Sequence, residues 1–347
     1  MNGKKLRFTI VSILLCSLLL ISFGSVSAAP PPDGAPGLAR SIEVKEQHEK
    51  ALLEITGVAG VGVGHNKAGT ASVIIFTEKP GVRGLPAFLE GIPVVTVVSG
   101  TFFAQPKPDK PGKPPKPDEP DQTPLDHWDR PVPIGVSTGH PDVTAGTIGA
   151  RVTDGSNIYA LSNNHVYANE NRAIVGDTII QPGSYDGGIA PADSIGTLYQ
   201  FVPLDFNGGS NSIDAALALS SVEYLNNATP SDGYGTPKSG TADASIGMKV
   251  VKYGRTTGLT SGRVYAIHAT VEVAYDAGVA RFENQIIITP GTFSAGGDSG
   301  SLIVVNSKRS NNHHKAVGLL FAGSSLYTIA NPIDPVLEAL GVTIDGE

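Results

Sequence analysis

The chain has 347 residues, a formal charge of −7, only 16% charged residues and 42 glycines. That length allows two domains and a sizeable core. An acidic balance suits neither nucleic acid nor anionic membranes, and so few charges beside so much glycine argue against a helical bundle.

Taken in chain order, residues 1–28 read as a secretory signal peptide. Lys4, Lys5 and Arg7 form a basic start, an apolar run extends to Phe23, and small residues end in Val26-Ser27-Ala28. Cleavage after Ala28 removes those three positive charges and takes the net charge from −7 to −10. The expected location is extracellular, with no membrane association once the signal is cut. The only cysteine, Cys16, lies in the apolar run, so the exported chain has no disulfide. Its stability has to come from its core or from a high unfolding barrier.

Residues 29–39 are rich in Pro, Gly and Ala and are predicted to be a flexible segment. Residues 40–104 are predicted to form a small α/β domain. The pattern of ARSIEVKEQHEKALLEI predicts a helix, VAGVGVG and ASVIIFTEK predict strands, LPAFLEG a short helix and IPVVTVVSGTFFA a further strand. The run Gly60-Val61-Gly62-Val63-Gly64 lacks the lysine of a phosphate loop and the third-glycine spacing of a dinucleotide site, so it reads as a tight strand end. Residues 105–133 contain QPKPDKPGKPPKPDEPDQTP. Proline at that density neither pairs in a sheet nor sits inside a helix, which predicts a stiff linker and a domain boundary. From 134 to 347, short strand-like runs alternate with Gly, Asn, Asp and Ser, an all-β pattern closed by one helix at DPVLEALG.

Within this β-rich part, Gly297-Asp298-Ser299-Gly300 stands directly before the strand-like SLIVV. A serine hydroxyl is a weak nucleophile at neutral pH and needs a base, which needs an orienting group. Of the eight histidines, His165 follows the strand-like YALS in a turn, a place where an imidazole can be held rigidly. His313 and His314 sit in a polar loop and carry only a weak metal-binding signal, so no metal or other cofactor is expected. Asp214 is flanked by Ile213 and by Ala215, Ala216 and Leu217. An isolated carboxylate there would cost several kcal/mol unless a hydrogen-bonded imidazole offset it.

His165 in NNHV, Asp214 in IDAALAL and Ser299 in GGDSGSLIV resemble the chymotrypsin-like, or trypsin-like, serine peptidases. The segment VVKYGRTTGLTSGRV is similar to the GRTTG hairpin of bacterial members such as α-lytic protease. The resemblance covers roughly residues 140–340. It implies an all-β double six-stranded barrel, with the catalytic residues His165 and Asp214 in the first barrel and Ser299 in the second. It also implies an oxyanion hole from the amides of Gly297 and Ser299, and a substrate-pairing strand at Phe321, Ala322 and Gly323, with Phe293 near the pocket. Lys252 and Arg255 are the implied partners of Asp298 in place of a freshly cut N-terminus. The implied activity is peptide hydrolysis through an acyl-enzyme, by a monomer acting on protein or peptide substrates. The pocket segments 292–296 and 321–327 hold no acidic residue, so cleavage after Lys or Arg is not expected. Asn163, Asn164 and Ser301 depart from the usual pattern. Two other readings stay open: an inactive member serving as an extracellular binding module, and an esterase using the same triad. The order His, Asp, Ser and the lack of a G-x-S-x-G elbow argue against an α/β-hydrolase. Residues 40–104 read either as a pro-region, making the chain a zymogen, or as a retained accessory domain.

Overall fold

The computed structural model describes residues 37–104 and 122–347. The predicted signal peptide, most of the predicted flexible segment and residues 105–121 of the predicted linker lie outside the described residues. Among the described residues no helix is long and apolar enough to cross a membrane.

The architecture is the expected double barrel. In the first half, six strands run in the order Thr178–Ile180, Ser194–Phe201, Ala216–Ser220, Ile158–Ser162, Ala150–Thr153 and Thr343–Ile344. Ala160, Ile179, Leu198 and Ala216 from these strands share a buried core with Ile148 and with Tyr167 of the helix Asn164–Tyr167. The described end of the predicted linker belongs to this half: Val132 forms a bridge with Leu225 and is buried, and Trp128 packs on the same core.

The second half closes on itself. Val279–Thr289, Thr328–Pro332, Lys315–Gly323, Leu302–Val305, Lys249–Gly254 and Gly258–Ala274 pair in turn, and the last pairs back to the first. Closure leaves no open edge within this ring. Alternation of apolar residues fills it with Val250, Val264, Ile288, Phe293, Ile303 and Leu320. The predicted C-terminal helix is Ile333–Leu340; its buried stripe Ile333, Val336, Leu337 and Leu340 joins residues of both barrels, and Gly341 ends it at φ 67°.

The N-terminal residues extend the second barrel's sheet. Helix Leu38–Leu53 begins inside the segment predicted to be flexible, because Leu38 is an anchor buried among second-barrel residues. Strand Val58–His65 pairs antiparallel with both Ala71–Thr77 and Gly258–Ala274, and Ile92–Val98 pairs parallel with Ala71–Thr77. The glycine run lies along this seam rather than at a tight strand end. A Cβ at Gly60 would come within 2.8 Å of Val271 Cγ1, and one at Gly64 within 2.9 Å of the Tyr265 carbonyl oxygen. Buried Lys45 ties the helix to the barrel by donating to Thr270 Oγ1 at 2.8 Å, beside Glu49. The stretch LPAFLEG forms a two-residue strand, Phe88–Leu89, instead of the predicted helix. Pro86 and a tight turn at Glu90 and Gly91, both with positive φ, leave no room for a second helical turn.

Candidate active site

His165 sits in the one-turn helix Asn164–Tyr167, launched directly after strand Ile158–Ser162. Its Nδ1 lies 2.6 Å from Oδ2 of Asp214, and its backbone N–H donates to Oδ1 at 3.3 Å. Asp214 precedes strand Ala216–Ser220, which pairs with the strand leading to His165. Its side chain is fully buried. The backbone around it is pinned by two amides: Asp214 N–H donates to Asn331 Oδ1 at 3.0 Å, and Asn163 Nδ2 donates to the Asp214 carbonyl at 2.7 Å. Asn163, a departure from the usual pattern, thereby helps to hold the carboxylate. One further donor escaped sequence reading: the Tyr275 hydroxyl reaches Asp214 Oδ2 at 2.9 Å. Nothing in the local string VAYDAG singles it out.

The turn carrying Ser299 is fixed from the first half of the molecule. Thr147 N–H donates to the Ser299 carbonyl at 2.7 Å and Thr147 Oγ1 to the Gly297 carbonyl at 2.9 Å. A Cβ on Gly300 would meet Ser162 Oγ at 2.3 Å, so the turn lies against the strand end that launches His165. The structure therefore brings the Ser299 turn to the His165 segment. The Ser299 hydroxyl donates to the Phe321 carbonyl at 3.4 Å, and among the described residues no hydrogen bond joins it to His165. Gly297 has φ 94°, and a Cβ there would lie 2.6 Å from Thr256 Oγ1. Among the described residues the amides of Gly297 and Ser299 donate no hydrogen bond, leaving two donors free for a developing negative charge. Gly297→Ala keeps the amide but forces the turn to shift, because its Cβ would lie 2.6 Å from Thr256 Oγ1; a donor moved out of place is expected to lower kcat by up to about 10²–10³-fold. Steady-state kinetics beside a thermal melt checks this, and an unchanged kcat would mean that the turn takes a Cβ without moving the donor.

Asp298 is buried with Lys252, whose Nζ is 3.3 Å from Oδ2; both side chains are fully inaccessible. The carboxylate also accepts from the amides of Thr256 at 2.8 Å, Thr257 at 3.2 Å and Ala295 at 3.0 Å. Thr257 Oγ1 adds a bond at 2.7 Å and itself accepts from Lys252 Nζ. Burial pushes the Lys252 ammonium below its usual range, and the charge of Asp298 opposes that shift. Arg255, the other implied partner of Asp298, pairs elsewhere. Its guanidinium grips both oxygens of buried Asp186, which also accepts from Ser137 Oγ at 2.5 Å. The GRTTG turn presents its backbone to Asp298 and so turns the Arg255 side chain outward to the first half. Arg255→Met should strand the Asp186 carboxylate and lower stability by about 3–5 kcal/mol, the usual result of breaking a buried pair; thermal unfolding reads it, and an unchanged midpoint would contradict it.

The implied substrate strand is covered. Ala104 pairs antiparallel with Ala322 and Phe103 with Gly323, while Phe102 and Phe103 pair parallel with Val273 and Ala274. Strand Phe102–Ala104 is thus wedged between two barrel strands. Phe102 is fully buried against Phe76, with ring centroids 6.0 Å apart. Phe321 is fully buried against Phe282, at 4.6 Å. Phe293 does not line a groove: its side chain is in the second-barrel core, because Thr260 Oγ1 anchors its carbonyl at 2.6 Å and turns the ring inward. What stays open is a cleft of about 660 Å³ bordered by His165, Tyr275, Glu170, Arg172, Phe103 and Ala104.

Comparison with known proteins places residues 238–329 in a match to the family described as the Nal1 C-terminal domain. Among solved structures, the chain is similar to a glutamic acid specific serine protease that utilises a histidine triad in substrate binding, at 23% identity. That match covers 61% of this chain and 100% of the other, with a TM-score of 0.45. It is similar to Thermobifida fusca protease A at 18% identity over 62% of this chain and 98% of the other, TM-score 0.44. A third is an α-lytic protease homologue, N4, at 19% identity over 61% and 99%, TM-score 0.43.

Proposed function

We propose that this chain is a secreted serine endopeptidase made in a latent form. The observation that carries the reading is the 2.6 Å contact between His165 Nδ1 and the fully buried Asp214, set beside the Gly-Asp-Ser-Gly turn. That contact fixes one imidazole tautomer and leaves Nε2 as the base for the Ser299 hydroxyl. His165 takes that proton as the oxygen attacks a peptide carbonyl, and Asp214 stabilises the resulting imidazolium. The Gly297 and Ser299 amides receive the oxyanion, and His165 then protonates the leaving amine and activates water. No step asks for a metal.

The latency reading is supported by the seat of Phe102–Ala104 on Ala322 and Gly323 and by the Ser299 hydroxyl resting on the Phe321 carbonyl. A substrate needs those backbone groups for strand addition. Activation then requires release of that strand, with a cut in the proline-rich stretch at 105–121, before the part of the predicted linker that packs on the first half. The mature enzyme is a monomer acting on extracellular proteins or peptides, with an apolar or small residue preferred at the cleavage site. The same covered strand favours a second reading, an inactive fold retained as a binding module. A fluorophosphonate probe on the secreted protein, with mass spectrometry of its N-terminus, decides between them. The peptidase reading expects label on Ser299 in a species starting beyond residue 104 and none in the uncut chain. Absence of label in both supports the binding module. Digestion of a peptide library separates peptidase from esterase.

A further inference from the structure

From the closed loop of contacts around Asp214 we infer that Tyr275 is a positioning residue of the proposed peptidase site, holding the carboxylate that orients His165. Tyr275 belongs to the turn after the long strand Gly258–Ala274 of the second barrel, whereas Asp214 and His165 come from the first. The turn is tight: Tyr275 N–H donates to the Gly278 carbonyl at 2.7 Å. Its hydroxyl donates to Asp214 Oδ2, the same oxygen that faces His165 Nδ1. Its ring stands edge-on to the imidazole, centroids 5.9 Å apart, and packs on Phe206 and Phe282.

The tip of that turn is caught by the segment that follows His165. Glu170 Oε2 accepts from the Ala277 amide at 2.8 Å and Oε1 from the Asp276 amide at 3.2 Å. Glu170 is brought there by an unusual backbone. Asn169, Glu170 and Asn171 all have positive φ, at 48°, 53° and 70°. A non-glycine residue in that region costs roughly 1–2 kcal/mol. Asn164 and Asn171 brace the loop by exchanging hydrogen bonds, 2.8 Å from Asn164 Nδ2 and 3.1 Å back from the Asn171 amide. The contacts form a ring: His165, its helix, Glu170, the turn at 275–278, Tyr275, Asp214 and His165 again. Such a ring keeps the imidazole and carboxylate in register with groups from the other barrel.

Burial and the nearby Asp214 charge push the Tyr275 phenol well above its ordinary range, so it stays a donor throughout the interval in which an imidazole titrates. A donor on Oδ2 withdraws negative charge from the carboxylate. Its loss concentrates that charge on the imidazole and favours the imidazolium. Asp142, Glu170, Arg172 and Asp276 also line the cleft and are the same in every variant tested except where Glu170 is itself changed.

The test is Tyr275→Phe, which keeps the ring and removes the hydroxyl, with Glu170→Gln as a second variant that weakens the catch on the turn. This inference rests on the peptidase reading, so two readouts are used. In the secreted enzyme, Tyr275→Phe should lower kcat/KM about 10- to 30-fold, in line with one hydrogen bond to a charged group. The acidic limb of its pH profile should move to higher pH by about half to one unit. Glu170→Gln should move both in the same direction by less. In the full chain, an NMR titration of the His165 ring should show the same upward move, whether or not the protein hydrolyses anything. Wild-type protein without hydrolytic activity even when processed to start beyond residue 104, but with a His165 titration that moves in Tyr275→Phe, defeats the peptidase reading and leaves the positioning role standing. An unmoved titration and pH limb in Tyr275→Phe overturn the positioning role, whatever the activity.

Discussion

Ser299→Ala should lower kcat by about 10⁴–10⁶-fold in the processed protein while leaving it folded. The size follows from the division of labour at the site. The Ser299 oxygen is the atom proposed to form a bond with the substrate carbonyl carbon, and the proposed part of His165 and Asp214 is to make it reactive. Without it, the free amides of Gly297 and Ser299 still bind a polarised carbonyl, so a residual rate about 10³–10⁴-fold above water is expected. Stability should change by no more than about 1 kcal/mol, because the hydroxyl makes one long hydrogen bond, 3.4 Å to the Phe321 carbonyl. Kinetics on a peptide substrate, fluorophosphonate labelling and a thermal melt together check the result. Full activity in Ser299→Ala would remove Ser299 from the mechanism, and unfolding would mean that the turn needs its side chain for structure.

The second large effect is on stability. Lys252→Met removes a buried cation paired with a fully buried carboxylate, and breaking such a pair from one side costs about 3–5 kcal/mol. For a unit of this size each kcal/mol moves the melting midpoint by about 2–4 °C, so a drop of roughly 6–20 °C is expected. Three amides and Thr257 remain on Asp298. These soften the loss and place the result nearer the lower end. Lys252→Met combined with Asp298→Asn should recover part of the loss, since no charge is then left unpaired. Differential scanning calorimetry of the single and double variants reads this. A single variant that melts with wild type would mean that the amides alone satisfy Asp298.

Some of this molecule could be read from its string of residues. The helix at 38–53 and the strands from 58 to 77 follow from apolar spacing and β-branched runs, and that signal is local. Ser299 could be picked out because glycines flank it, and Asp214 because a carboxylate among Ile, Ala and Leu needs a partner. His165 could be separated from seven other histidines by the strand before it. Other features were out of reach. Arg255 is an implied partner of Asp298 because the resemblance has the GRTTG segment supply a cation to that aspartate, but which way a side chain leaves a turn depends on what stands across from it, here Asp186. Phe293 was read as lining a pocket, and its direction was decided by a hydrogen bond from Thr260, 33 residues away. Tyr275 gives no local sign of its role, since its partner is 61 residues earlier.

By itself the sequence determined the β-rich character of residues 134–347, the C-terminal helix and the side chains able to do nucleophilic chemistry. Those depend on period, composition and residue type, which neighbours along the chain are enough to specify. Only the tertiary structure decided that strand Phe102–Ala104 lies on Ala322 and Gly323, that the glycine run at 60–64 is a seam joining the N-terminal strands to the second barrel, and that a tyrosine from one barrel holds an aspartate of the other. Each of these is a pairing between distant segments, set by barrel closure and by which buried polar groups find partners, and no short stretch of sequence contains both halves of such a contact.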